Sequence, residues 1–298
     1  MKQIDLSDWT EAGAGAVGRS FNHRTDSSLM LKLYGSDFPV EYLHGELKAA
    51  ELAYRLGVSC PQPGEVVIVD GCPGIIYHRI EGKKSFARTI GEDPSCTDEM
   101  AARFAALTRS IHSAKVGEGE IRTAAEMIGD ILDAGLLEGG LREDVTSAMP
   151  LLEGSMLLHG DLHFGNAITD GTRDYLIDLG NLCTGPESLD LTMVMFTGAV
   201  NSDGLCRKLY HMSRETALEF WRQFKISYFG SETLPREMLE EIAAVMPLRI
   251  ALFRRDMGPS PVIPACTEAV RRWRASLDDE FALGRHLGQV SHEMGIEY

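Results

Sequence analysis

Apolar and polar positions change their period several times along this 298-residue chain, and each change predicts a change of structure. Up to about residue 80 the apolar runs are short and punctuated by glycine and proline, which predicts strands with one helix among them. Two short strands flank the turn between residues 12–19 and residues 29–33. A helix is expected over residues 40–56, where Leu43, Leu47, Ala50 and Tyr54 recur at helical spacing and Gly57 supplies the stop. The β-rich runs 66–69 and 74–77, separated by Asp70-Gly71, read as a hairpin.

After Glu81-Gly82-Lys83-Lys84 the pattern turns helical, so a boundary is placed there, dividing the chain into 1–81 and 82–298. Met100, Phe104, Leu107 and Ile111 mark one amphipathic helix, and a second apolar face runs from Ile121 to Leu137. Between residues 156 and 181 strands and turns return, with Asp170-Gly171 as a turn. From about Leu189 the chain reads as helices broken at Gly230, at Pro235 and over residues 258–264. No repeat of 20 to 50 residues is visible.

Composition narrows the class. Hydrophobic residues at 44% and charged residues at 24% fit a folded, water-soluble chain. The net charge of −15 speaks against a nucleic-acid or anionic-membrane partner, since both need concentrated Lys and Arg. The 7 basic and 11 acidic residues before Gly82 show that the acidity is spread along the chain rather than gathered at one site. Acids in the opening segment and the lack of a long apolar run predict a cytoplasmic protein. The six cysteines form no C-x-x-C pair, and reduced, mostly buried thiols are expected.

The chemistry concentrates in LLHGDLHFGNAITDGTRDYLIDLGN, residues 157–181. Asp161 and Asn166 sit five residues apart on one loop, and a short hairpin leads from them to Asp178. Phosphoryl transfer requires a group to orient or deprotonate the attacking hydroxyl, together with hard oxygen ligands for Mg²⁺. These three residues supply both.

This segment resembles the catalytic and metal loops of the aminoglycoside phosphotransferase and choline kinase superfamily, relatives of protein kinases with the signature H-G-D-x-H-x-x-N followed by I-D. The resemblance covers about residues 10 to 195. It implies an α+β, bilobal, protein-kinase-like fold, with a small antiparallel sheet and one helix in the nucleotide-binding lobe and a larger, mainly helical catalytic lobe. By the same resemblance Asp161 is the catalytic base, Asn166 and Asp178 hold Mg²⁺, His159 braces the loop, and Asp190 buttresses it. Residues 75–82 resemble the hinge, whose backbone at His78 and Ile80 would meet adenine. His112 lies in a stretch resembling the family's L-x-x-L-H helix and is read as a packing residue. One position departs from the pattern: Asn181 stands where a second acid is common, which is expected to weaken or alter metal binding.

Gly13, Gly15 and Gly18 fit G-x-G-x-x-G, and Lys32 follows 14 residues after Gly18. A dinucleotide fold would open a helix at the third glycine, whereas here a polar turn and a strand lysine follow, in the order of a kinase glycine loop. Lys32 projects from the strand face opposite to Leu31 and Leu33 and is expected to contact ATP phosphates. Glu46 is its expected partner, with Glu51 as the alternative.

The expected reaction is therefore transfer of phosphate from Mg-ATP to a hydroxylated small molecule such as an amino sugar or amino alcohol. The alternative is a nucleotide-binding pseudokinase that serves as a regulatory module. A protein kinase is disfavoured because only 12 residues separate Asp178 from Asp190 and no A-P-E occurs. Trp221, Tyr228, Trp273, Glu240 and Glu241 are candidates for the acceptor pocket. Arg249, Arg254 and Arg255 would suit an anionic acceptor or a helix end.

Overall fold

In the computed structural model, residues 2–14 and 18–296 are described, and Gly15 of the glycine stretch lies outside them. Contacts divide the chain into two compact units, one made of residues 1–84 and 167–182 and the other of 85–166 and 183–298. The segment 167–182 groups with the first unit because its turns pack against that unit's helix and the Leu176 N–H donates to the Ser59 carbonyl at 2.8 Å.

In the first unit six strands form one sheet: β1 (Lys2–Gln3), β2 (Trp9–Ala14), β3 (Gly18–His23), β4 (Leu29–Tyr34), β5 (Pro63–Val69) and β6 (Cys72–His78), in the order β1-β5-β6-β4-β3-β2. The pairs are antiparallel, as expected, except that the two-residue β1 runs parallel to β5 at one edge. β2 and β3, on either side of the glycine stretch, pair antiparallel, and an added Cβ on Gly18 would lie 2.7 Å from the Leu33 carbonyl oxygen. The β5–β6 hairpin turns on Asp70 and Gly71, both with positive φ (50° and 81°), as a two-residue turn that follows the strand twist requires.

Alternation along β4 sorts the two faces of this sheet. Leu31 and Leu33 join Trp9, Phe21, Val67, Val69 and Ile76 in a hydrophobic cluster, while Lys32 and Tyr34 take the other face, toward α1 (Val40–Arg55). That helix buries Leu43, Ala49, Ala50, Leu52 and Ala53. Tyr54, expected on the apolar stripe, is exposed, because the buried stripe passes through the adjacent Ala53. The short strand β7 (Lys84–Ser85) ends the first run of chain, and β9 (Ala167–Thr169) pairs with β10 (Asp174–Leu176) in an antiparallel hairpin.

The second unit is mainly helical. Its first helices are α2 (Phe86–Glu92), α3 (Thr97–His112), α4 (Ala124–Asp133) and α5 (Gly139–Ala148). Met100, Phe104, Leu107 and Ile111 are all buried on α3, as their spacing predicts. The apolar run after Ile121 becomes α4, started by a capping box between Thr123 and Glu126. The strands β8 (Met156–Leu158) and β11 (Cys183–Gly185) pair antiparallel and flank the 157–181 motif.

The rest of this unit is α6 (Glu187–Met195) with a π turn (Phe196–Val200), α7 (Asp203–Tyr210), α8 (Arg214–Phe229), α9 (Arg236–Met257), α10 (Val262–Ser276) and α11 (Ala282–Glu293). The predicted breaks at Gly230, Pro235 and 258–264 fall between helices, although α10 starts inside the last of these. Two further breaks, after Tyr210 and after Ser276, fall at His211 and Leu277, which adopt positive φ without being glycine. All six cysteines are free, four of them buried, and burial pushes the Cys60 and Cys266 thiols up to about 12. Among the described residues no helix is long and apolar enough to cross a membrane.

Candidate active site

In the first unit, β4, α1 and the turn after β10 bring three charges together. The Lys32 ammonium donates to Glu46 Oε1 at 3.0 Å and to Asp178 Oδ1 at 2.6 Å. Tyr34 and Tyr77 donate to the two oxygens of Glu46, at 2.5 Å and 3.1 Å, so this carboxylate is held from two strands. Burial works against the charge on Lys32, but Asp178 and Glu46 outweigh it and hold the lysine pKa well above its ordinary value. Lys32 is thus a permanent cation at neutral pH. Glu51, the alternative partner, is exposed on the same helix.

Asp178 itself is backbone-strained. Its φ of 60° and ψ of 53° place an aspartate in the left-handed region, from which it leads the 3₁₀ turn Leu179–Asn181. The turn packs on α1, and an added Cβ on Gly180 would lie 3.5 Å from Glu46 Oε2. Asn181 is half-buried in this turn.

The remaining nucleotide-binding candidates of this unit are distributed. Gly13 accepts the Ser20 hydroxyl through its carbonyl at 3.2 Å, and Gly18 opens β3 opposite Tyr34. His78 ends β6 with its side chain exposed, and its N–H donates to the Gln62 carbonyl at 2.8 Å. Ile80, two residues on, is half-buried. Lys83, which pattern reading passed over, lies within electrostatic reach of Asp178.

In the second unit the loop between β8 and β9 carries His159, Asp161 and Asn166. Gly160 adopts a φ of 80°, a left-handed conformation that glycine takes without strain, and this turns the loop at the residue before Asp161. Asp190, fully buried on α6, accepts the N–H groups of His159 and Gly160, each at 2.8 Å. His112 Nε2 meets the same carboxylate at 3.1 Å, and its Nδ1 meets the Tyr228 hydroxyl at 2.8 Å. Burial alone would raise the Asp190 pKa, but the hydrogen bond and charge of His112 reverse this and lower it. His112 is therefore more than a packing residue: it supports the carboxylate that fixes the loop backbone.

Asn166 Nδ2 donates to the Asp161 carbonyl at 3.0 Å and to Asp161 Oδ2 at 3.2 Å. With both amide protons directed at Asp161, the Asn166 carbonyl oxygen is the atom left to serve as a metal ligand, and a hard oxygen donor suits Mg²⁺. His163 Nδ1 accepts the Gly165 N–H at 3.0 Å, which leaves its Nε2 as the protonated nitrogen, 3.7 Å from Asp161 Oδ2. Burial opposes ionisation of Asp161, yet the nearby His163 N–H and the Arg249 guanidinium hold its carboxyl well below the usual range.

The acceptor candidates divide. Trp221 and Trp273 are completely buried in the helical core, and Glu240 is exposed and paired with Arg236. Arg249, read from the sequence as an anion binder or helix cap, is buried and directed at Gly160 and α6. Sequence reading had no signal for this, because the partners lie 57 to 89 residues away.

With this geometry in place, the comparisons agree on a class. The chain belongs to the phosphotransferase enzyme family, whose model matches residues 8–224. No curated protein matches it in sequence. In fold it is similar to a choline/ethanolamine kinase family protein from Mesorhizobium loti, at 19% identity over 95% of this chain and 92% of that one, with a TM-score of 0.55. It is similar as well to an amicoumacin kinase solved with AMP-PNP and Ca²⁺, at 15% identity, 94% and 91% coverage and a TM-score of 0.57. An aminoglycoside-3′-phosphotransferase of type VIII matches at 15% identity, 81% and 94% coverage and a TM-score of 0.56. These likenesses establish a protein-kinase-like α+β fold.

Proposed function

We propose that the protein transfers the γ-phosphoryl group of Mg-ATP to a hydroxyl of a small molecule, with an amino sugar or amino alcohol as the favoured acceptor class. The observation that carries this reading is the ion cluster of Lys32, Glu46 and Asp178. A strand lysine braced by a helix glutamate is suited to fixing nucleotide phosphates, and family membership points the same way. Residues 1–81 are assigned to nucleotide binding and 82–298 to catalysis and acceptor binding. In the first, Gly13, Gly15 and Gly18 cover the phosphates and the backbone near His78 and Ile80 meets adenine. Since the His78 N–H is already bonded within the sheet, the adenine contact falls to its neighbours, Ile80 among them.

Asn166 and Asp178 are the residues that would hold Mg²⁺, whose charge would neutralise the phosphate oxygens. Asp161 orients the acceptor hydroxyl and takes its proton. It accepts the proton late, as the new O–P bond forms and makes the attacking hydroxyl acidic. That sequence matches the loose transition state of phosphoryl transfer. His159 and Asp190 hold the loop on which Asp161 sits.

The test is ADP release across a panel of hydroxylated amines and antibiotics, with wild type compared to Asp161→Asn and Mg-ATP affinity measured for both. Loss of the base is expected to lower turnover by about 10²–10⁴ while nucleotide affinity changes little. If Mg-ATP binds and wild type phosphorylates nothing, the chain is a nucleotide-binding module instead.

A further inference from the structure

Arg249 lies outside the segment matched by the family model, on α9, and is 1% exposed. All three donor groups of its guanidinium are engaged: Nη1 with the Gly160 carbonyl at 3.0 Å, Nη2 with the Leu189 carbonyl at 3.1 Å and Nε with Thr192 Oγ1 at 3.2 Å. Nη1 is 4.0 Å from Asp161 Oδ1. Gly160 is therefore held through both of its flanking peptides, its N–H by Asp190 Oδ1 and its carbonyl by Arg249. A buried arginine is costly to desolvate unless it is fully bonded, and this one spends its bonds on the peptide that carries Asp161 and on the helix that carries Asp190.

We propose that Arg249 is a positioning residue for phosphoryl transfer, locking the Gly160–Asp161 peptide against α6 so that the Asp161 carboxylate is fixed before substrates arrive. The proposal rests on the kinase reading for its catalytic consequence, but not for the clamp itself. In this role Arg249 makes the loop permanently assembled, with no phosphorylated segment needed to order it. A planar fork with donors in three directions is what the site uses, so lysine, with the charge but not the fork, replaces it only in part.

The experiment compares wild type, Arg249→Lys and Arg249→Gln in the full chain, by amide hydrogen exchange, Mg-ATP affinity and steady-state kinetics with the best acceptor of the panel. Arg249→Gln is expected to speed exchange roughly tenfold or more in residues 158–166, as loss of charge-assisted bonds implies, with β2–β4 unchanged. Turnover should fall by about 10²-fold, the scale set by a small misplacement of a catalytic group, while KM for ATP stays within about threefold. Arg249→Lys should fall between the two, and it carries the test if the glutamine variant does not fold. Wild-type protection of the loop in these variants overturns the clamp. Loosened exchange with unchanged turnover overturns the catalytic role. A wild type that binds Mg-ATP but transfers no phosphate overturns the kinase reading, with the exchange result still deciding the clamp.

Discussion

Single candidate residues in each of the two units were legible to different degrees. Lys32, Asp161, Asn166 and Asp178 stand out because the chemistry fixes their type and the chain fixes their order. Glu46 was found through its place on the helix after the lysine strand. Tyr34 and Tyr77, which hold it, were not, since nothing local distinguishes a strand tyrosine that bonds a carboxylate from one that packs. The same holds for Arg249 and for the support His112 gives to Asp190, contacts between residues 78 positions apart in the latter case. Asp190 is the residue whose support role is easiest to test. Its folded pKa lies below the ordinary carboxylate value, so its contribution is complete above the unfolded pKa of about 4 and is lost as pH falls through that value toward the lower folded one. Asp190→Asn should cost about 3–5 kcal/mol where the carboxylate is ionised, since it leaves donors in the buried site unmatched. Urea denaturation should show a larger gap between wild type and variant at pH 5 than at pH 3. An equal gap at both would mean that the Asp190 charge does not stabilise the fold.

At the scale of elements, period and punctuation located the strands and helices better than they located their faces. The Asp70-Gly71 hairpin and the α3 stripe followed from pattern alone. Tyr54 was misplaced because Ala49, Ala50 and Ala53 form much of the buried face of α1, and alanine gives a weak hydrophobic signal. The helix breaks at His211 and Leu277 were invisible for a similar reason: neither is glycine, although both take positive φ. Gly18 shows how one residue carries two demands. Read from the sequence it belongs to a phosphate loop, while in the sheet it lets β3 lie against β4, where a Cβ would meet the Leu33 carbonyl oxygen at 2.7 Å. Gly18→Ala is therefore expected to destabilise the protein by about 1–3 kcal/mol through overpacking, whether or not nucleotide is present. Thermal denaturation without nucleotide checks this. An unshifted melting temperature combined with weakened Mg-ATP binding would assign the glycine to the phosphates alone.

Across the whole molecule, the helices beyond the family match are bonded into the second unit rather than appended to it. Arg249 on α9 reaches the loop after β8, and Gly284 on α11 approaches the Ala199 and Val200 carbonyls, where a Cβ would lie 3.2–3.3 Å from their oxygens. The segment before α11 is tied down by an ion pair between Lys225 and Glu280, both buried, with the lysine ammonium 5.5 Å from the Trp221 ring centre and 5.4 Å from that of Phe281. Trp273 adds a bond from its indole N–H to the Asp279 carbonyl at 2.8 Å. The resemblance faded past residue 195 because these ties depend on a few distant pairs and on no local motif. Their energetics follow from desolvation: an ion pair in the core gains little over an apolar pair of similar size, but half of one is strongly unfavourable. Lys225→Met should thus lower stability by about 3–5 kcal/mol by stranding the Glu280 carboxylate, while Lys225→Met with Glu280→Leu should recover most of the loss. Urea denaturation at neutral pH measures both. Equal losses in the single and double variants would show that packing of the lysine stem on Trp221 and Phe281, rather than the stranded charge, sets the cost, and that the C-terminal helices are held by apolar contact.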